Sequence, residues 1–461
     1  MSKKRRKGEP RGRVARAAAR PTSPRDIGGS LAAAGLLLAI ACAGFVVDSG
    51  ADNSFDAPKR LATLVCTAAA ALAAFGFSRW RNPLSGFSFR RFSAPSAAAA
   101  CLLAAAGLVA LAAVVSPRRA AALDATRALV LYGLLLALGA SRVVERRKRL
   151  LLATFLVVVA VNAVVSFLQA RNIYQPLRLV TIGSREATGA FVGNPGYLAM
   201  ALALSAVACV GIVVLGRSVA LRAAAGAGAA AFGASLLVNR NLTSVSALVA
   251  GIALLLLARF GRRAVLPIAL LLLFVGVVAV AYPPMRWRAR EAVSALRNRD
   301  WDRLVTYRLG AWAAALEMAR DRPWTGFGPG TYGAEFVPHR LRAEIETRRR
   351  MGNPLATSSY AEAHSDYLQP FAEAGIPAGL LLLAAGALLL RQLVLAARRP
   401  DGAPTRAELL FLLAFLGAGA VAALTWFPFQ RPISSIPLLL AAGRAWRLSG
   451  APGTGEAGAE E

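Results

Sequence analysis

The sequence predicts an all-α membrane protein with about twelve transmembrane helices, on three observations. The chain has 461 residues, of which 56% are hydrophobic, a share too high for a soluble domain of this charge. Its apolar residues gather into runs long enough for a bilayer core of about 30 Å, which needs roughly 20 residues of helix. Its basic side chains, which give a net charge of +30, fall mainly between those runs, and charges within the runs, such as Arg127 and Arg391, are few.

Taken in order, the apolar runs lie near 30–47, 61–77, 97–115, 121–139, 150–168, 197–215, 220–238, 242–258 and 264–282. Three more follow near 374–395, 407–425 and 432–446. Several are rich in Ala and Gly, which lets helices approach closely. Alternate connections carry the charge: Arg79 with Arg81, Arg90 with Arg91, Arg146-Arg147-Lys148-Arg149, Arg217 with Arg222, Arg262-Arg263 and Arg398-Arg399. With the amino terminus inside, all of these fall on the cytoplasmic side, as the positive-inside rule requires. The basic excess is therefore a topology and anionic-lipid signal, and no aromatic-interleaved motif points to nucleic acid. The four cysteines all fall within spans and read as small hydrophobes, not as a disulfide or metal framework.

Five regions follow. Residues 1–26 form a basic, disordered cytoplasmic tail, 27–282 hold spans one to nine, and 283–373 make one large external loop. Residues 374–446 hold the last three spans, and 447–461 form a flexible cytoplasmic tail. Long loops escape the positive-inside rule, so the arginines of 283–373 do not oppose this orientation. The aromatic residues spread through that loop argue for folded structure. Leu309, Trp312, Leu316 and Ala319 recur at helical spacing over 307–321, a helix that Pro323 ends. A glycine-rich turn follows over 324–332, then a second, basic helix over 340–351. Asp300-Trp301-Asp302 reads as a solvated turn.

The chain has two histidines, and His364 stands between the large loop and the tenth span. Imidazole is the side chain whose ordinary pKa suits proton transfer near neutral pH. At the same membrane face lie Arg185 in the connection 169–197, Arg240 in the tight turn Asn239-Arg240-Asn241, and Arg308 at the start of the 307–321 helix. Guanidinium groups suit bidentate recognition of phosphate. Gly193-Asn194-Pro195-Gly196 admits two readings. It is a broken, cavity-facing start to the sixth span, or a simple turn capped by Asn194.

The ordered motifs resemble the O-antigen ligase and O-antigen polymerase family of polytopic glycosyltransferases. They are Arg185-x-x-Thr-Gly-x-Phe with Gly-Asn-Pro-Gly-Tyr-Leu-Ala, then Tyr307-Arg308-Leu309-Gly310-Ala311-Trp312 leading to Asp321-Arg322-Pro323-x-x-Gly-Phe-Gly-Pro-Gly. His364-Ser365-Asp366-Tyr367-Leu368-Gln369 and Glu373-Ala374-Gly375-Ile376-Pro377 complete the set. The resemblance implies a GT-C-like fold. It also implies transfer of a glycan from an undecaprenyl-diphosphate carrier to a glycan or lipid A–core acceptor, at the outer face of the bacterial cytoplasmic membrane. It implies His364 as general base, with Arg308 and Arg185 on the diphosphate. Arg240, Asn194 and Tyr367 complete the candidate substrate-binding set. The chemistry expected is a metal-independent, inverting displacement without a cofactor. Two positions depart from the family: Ser365 stands where Asn often follows the His, and Thr243-Ser244-Val245 replaces a Ser-Arg-Gly stretch. A transporter or flippase for lipid-linked glycans, or a noncatalytic scaffold of envelope assembly, is the alternative.

Overall fold

In hydrocarbon every backbone polar group must find its partner within the chain, so long apolar runs have little choice but helix. The computed structural model describes residues 24–50, 54–76, 94–173, 188–351, 360–398 and 403–450, and its long regular elements are all helices. The first six are α1 (Pro24–Phe45), α2 (Asp56–Gly76), α3 (Ala94–Val115), α4 (Arg119–Ala125), α5 (Arg127–Ala140) and α6 (Arg142–Ala170). Next come α7 (Pro195–Leu215), α8 (Val219–Asn239), α9 (Leu242–Phe260) and α10 (Val265–Ala281). The polar segment holds α11 (Pro283–Arg297), α12 (Trp301–Leu304), α13 (Leu309–Asp321) and α14 (Tyr332–Thr347). The chain then finishes with α15 (Gln369–Arg398), α16 (Ala403–Ala423) and α17 (Pro432–Ser449).

Ten helical stretches among the described residues are long and apolar enough to cross a membrane. One of them, Leu242–Ala281, holds two of the expected spans, since Gly261 at φ +58° separates α9 from α10. The twelfth expected span forms α17 but is not among the ten. It carries Arg444, which pairs with Glu408 at 2.8 Å, and Arg447, which pairs with Glu145 at 3.0 Å. Protein, not lipid, surrounds most of α17. The chain is an integral membrane protein.

Helix α7 is the most enclosed of the spans and sits against α8, α9 and α16. Helices α5 and α17 meet at two glycines. A Cβ on Gly443 would stand 2.1 Å from the carbonyl oxygen of Leu136, and one on Gly139 would stand 2.4 Å from that of Leu440. Glycine at both places permits backbone-to-backbone approach. At the other extreme, α10 has no buried residue and packs chiefly on its chain neighbours α9 and α11.

The polar segment has its own small core, built from Ala311, Ala314, Ala315 and Met318 of α13 against Tyr332 and Phe336 of α14. Three expectations need correction here. Helix α13 begins at Leu309 because Tyr307 takes φ +61°. The second helix starts eight residues earlier than its charge suggested, because Tyr332 and Phe336 are buried against α13. Asp302 is buried, not solvated, and its carboxylate accepts the Leu309 N–H at 3.1 Å, fixing where α13 starts.

The glycine-rich turn docks on a break inside α15. Phe327 and Gly328 donate to the carbonyls of Ala372 and Glu373 at 3.1 and 2.8 Å, and Ile376 donates to Pro323 at 2.7 Å. Gly326 at φ +61° and Gly375 at φ +84° make the contact, and a Cβ on either would lie within 2.6 Å of backbone carbon. The polar segment is thereby keyed to the start of α15, directly after His364.

Candidate functional site

His364 sits on the short connection before α15, in the left-handed region at φ +53°. For a non-glycine residue this conformation persists where surrounding contacts enforce it. Those contacts come from the connection between α16 and α17. Asp366 donates its N–H to the carbonyls of Ala423 and Trp426, and its carboxyl accepts from Phe429 N at 2.9 Å and from Gln430 Nε2 at 2.8 Å. Ser365 Oγ reaches the Ala423 carbonyl at 3.3 Å, and the Tyr367 hydroxyl donates to Ala420 at 2.8 Å. Burial pushes the Asp366 carboxyl up to about 7.

The imidazole stands among three rings: Tyr360 at 4.9 Å, Phe427 at 5.2 Å and Trp426 at 5.5 Å between centroids. Its Nδ1 lies 3.0 Å from the Glu362 carbonyl oxygen. A carbonyl only accepts, so Nδ1 carries the hydrogen and the Nε2 lone pair remains, with no hydrogen-bond partner among the described residues. Burial foremost, then the Arg308 charge, lowers the His364 pKa to about 4, with Arg431 adding to the same effect. The other histidine differs: His339 is buried with Nδ1 on the Glu335 carbonyl and Nε2 on Asp321, so both nitrogens are engaged.

Arg308 precedes α13 and lies over the same Trp426 ring at 5.5 Å. It makes a long contact of 3.5 Å to Thr243 Oγ1, which in turn lies 3.0 Å from Thr425 Oγ1. Thr243 belongs to the stretch where the family pattern has Ser-Arg-Gly. Arg240, three residues earlier, closes α8 at φ +53° with an exposed side chain. Asn194 caps α7 by accepting from Gly196 N at 2.8 Å, after a short 3₁₀ turn over Ala190–Val192. Of the expected residues, then, His364 and Arg308 share one ring, and Arg240 neighbours Thr243. Tyr367 ties its segment to α16, Asn194 lies on the α7 side, and Arg185 lies outside the described residues.

Sequence reading missed Arg431. It is 5% exposed, forms ion pairs with Asp56 of α2 and with Glu362, and lies over the rings of Tyr197 (4.4 Å) and Phe427 (4.9 Å). Glu362 thus binds Arg431 with its carboxylate and His364 with its carbonyl. A signal was present: Phe427-Pro428-Phe429-Gln430-Arg431 joins the eleventh and twelfth expected spans, which alternation puts at the same end as His364.

Residues 204–383, which contain Arg240, Arg308, His364 and Tyr367, match the family model described as O-antigen ligase. Over those residues the chain is similar to the O-antigen ligase family. No curated protein matches the chain. The O-antigen ligase domain indicates a glycosyltransferase-like enzyme of surface polysaccharide assembly, acting on lipid-linked glycan and glycan acceptor in general. Asn194, Arg431 and the Asp56 that pairs with it lie outside the matched residues but line one cavity with Glu362.

Proposed function

We propose that the protein transfers a glycan from an undecaprenyl-diphosphate carrier to an acceptor hydroxyl, at the outer face of the bacterial cytoplasmic membrane. His364 is the general base. The observation that carries this reading is the tautomer: Nδ1–H is committed to the Glu362 carbonyl, leaving a neutral Nε2 to receive a proton. In the step proposed, the acceptor O–H proton passes to Nε2 as the oxygen bonds to the anomeric carbon. The bond from that carbon to the diphosphate oxygen breaks, and its electron pair leaves with the carrier diphosphate. Attack from the face opposite the leaving group inverts the anomeric centre. Guanidinium charge from Arg308, and from Arg185, stabilises the leaving diphosphate in the place a metal ion would otherwise take. A base held in reach of the hydroxyl contributes about 10²–10⁴-fold. Burial among the aromatic walls, with the charge of Arg308, keeps the imidazole uncharged and ready.

The test is His364→Ala and Arg308→Ala in a strain deleted for the chain. Both variants should insert in the membrane and yield no transferred glycan; surface polysaccharide at the wild-type level in both would refute the assignment. The glycan ladder of the deletion strain separates the two family activities. Single-repeat glycan on its acceptor marks a lost polymerase, whereas long carrier-linked polymer with a bare acceptor marks a lost ligase.

A further inference from the structure

Beside the His364 segment lies a cavity of about 540 Å³, within the size range of small-molecule sites. Its wall includes Asp56 and Lys59 of α2, Asn194 and Tyr197 of α7, and Glu362 and Arg431. The site is built from buried polar groups: Lys59 is 3% exposed and Arg431 5%. Lys59 Nζ donates to the Val46 carbonyl at 2.6 Å, and ion pairs join Arg431 to both carboxylates. The Asn194 side-chain amide nitrogen and the Tyr197 hydroxyl have no hydrogen-bond partner among the described residues.

The charge pattern selects the ligand class. The wall holds three cations and two carboxylates, and ion pairs of Asp56 with Arg60 and Arg431 and of Glu362 with Arg431 engage all of these charges except Lys59, whose Nζ is already held by the Val46 carbonyl. Free donors beside carboxylate lone pairs suit a molecule that both donates and accepts at every corner, which is what sugar hydroxyls do. Position selects the role. The Glu362 carboxylate faces this cavity while its carbonyl orients the imidazole, and the stacked Trp426–Phe427 pair is touched by Arg308 at Trp426 and by Arg431 at Phe427. The base therefore stands between the two arginines.

We propose that this cavity is the acceptor subsite, binding the terminal sugar of the acceptor through Asp56, Lys59, Asn194, Tyr197 and Glu362. This rests on the glycan-transfer reading, with the donor diphosphate on the Arg308 side.

The test is saturation-transfer NMR on the full chain in lipid nanodiscs. The probes are the methyl glycosides of glucose, N-acetylglucosamine and glucuronic acid, with inorganic pyrophosphate as a separate probe. At least one glycoside should receive saturation from the wild type. Ala57→Trp, at an exposed residue of the cavity wall, should weaken that binding tenfold or more. Tyr197→Phe, which removes one oxygen, should weaken it about threefold, an ordinary effect for one hydrogen bond. Tyr197→Phe decides the matter if the Trp variant does not elute as folded protein. Three results overturn the proposal: no glycoside binds, binding is the same in both variants, or pyrophosphate is the probe that Ala57→Trp expels. Because the readout is binding without turnover, it stands apart from the transfer assay. Equal transfer by wild type and His364→Ala would fell the parent reading whatever the glycosides do.

Discussion

The acid limb of the transfer rate is the most discriminating property of the site. As the proposed base, His364 must be neutral to accept a proton, and its surroundings lower its pKa from 6.5 to about 4. At pH 5 a free imidazole would be only about 3% neutral, whereas one with a pKa near 4 would be about 90% neutral. The two cases differ roughly 30-fold in available base at that pH. The measurement is kcat/KM for lipid-linked glycan in nanodiscs, from pH 4 to 8, with membrane-protein integrity checked at each end. The rate should hold down to about pH 5 and then fall. The causes are separable as well. Arg308 is the largest charge acting on the imidazole, so Arg308→Gln should move the acid limb upward in pH while lowering the rate overall. Arg431 also faces the ring's surroundings, while Tyr360, Trp426 and Phe427 add no charge near neutral pH. Half-loss of the wild-type rate already near pH 6.5 would refute the desolvated-base argument.

Arg431→Gln leaves the partly buried Glu362 without its cation and Asp56 with Arg60 alone, and should cost about 3 kcal/mol of stability, read as a lowered Tm in detergent; Arg431→Lys should recover part of it. Gly443→Ala forces α5 and α17 apart at the Leu136 carbonyl, with an expected loss of about 1–3 kcal/mol in the same assay. Tyr367→Phe deletes the bond to Ala420 and should lower stability by about 1 kcal/mol. If the donor KM rises more than tenfold in that variant instead, Tyr367 contacts substrate directly.

Much of this molecule could be read from its sequence because lipid simplifies the problem. A run such as 197–215 has one stable solution, and α7 occupies it almost residue for residue. The glycine-rich turn was visible for the same kind of reason, since three positive-φ glycines within five residues have few uses. Contacts between distant segments were not visible. Asp56 and Arg431 are 375 positions apart, and each taken singly is an unremarkable charged residue at a helix end. Asp302 misled because an Asp-x-Asp turn gives no sign of whether a helix start lies above it. Helix α17 forms where the twelfth span was expected, but its surroundings could not be read: its arginines are matched by Glu145 and Glu408 from other helices, so a short and charged segment packs inside the protein. His364 and Arg308 could each be read as candidates, but the Trp426 ring that both approach belongs to a connection that gave no such sign.

Helix α10, with no buried residue, offers most of its surface to lipid, so bilayer thickness bears on its tilt alongside its contacts with α9 and α11. It leads into α11 with only Tyr282 between, and thence through α12 to the residues that set Arg308. A short covalent path thus runs from a lipid-facing helix to the residues around Arg308. Lipid chain length is therefore a condition to hold fixed when variants of this protein are compared in nanodiscs.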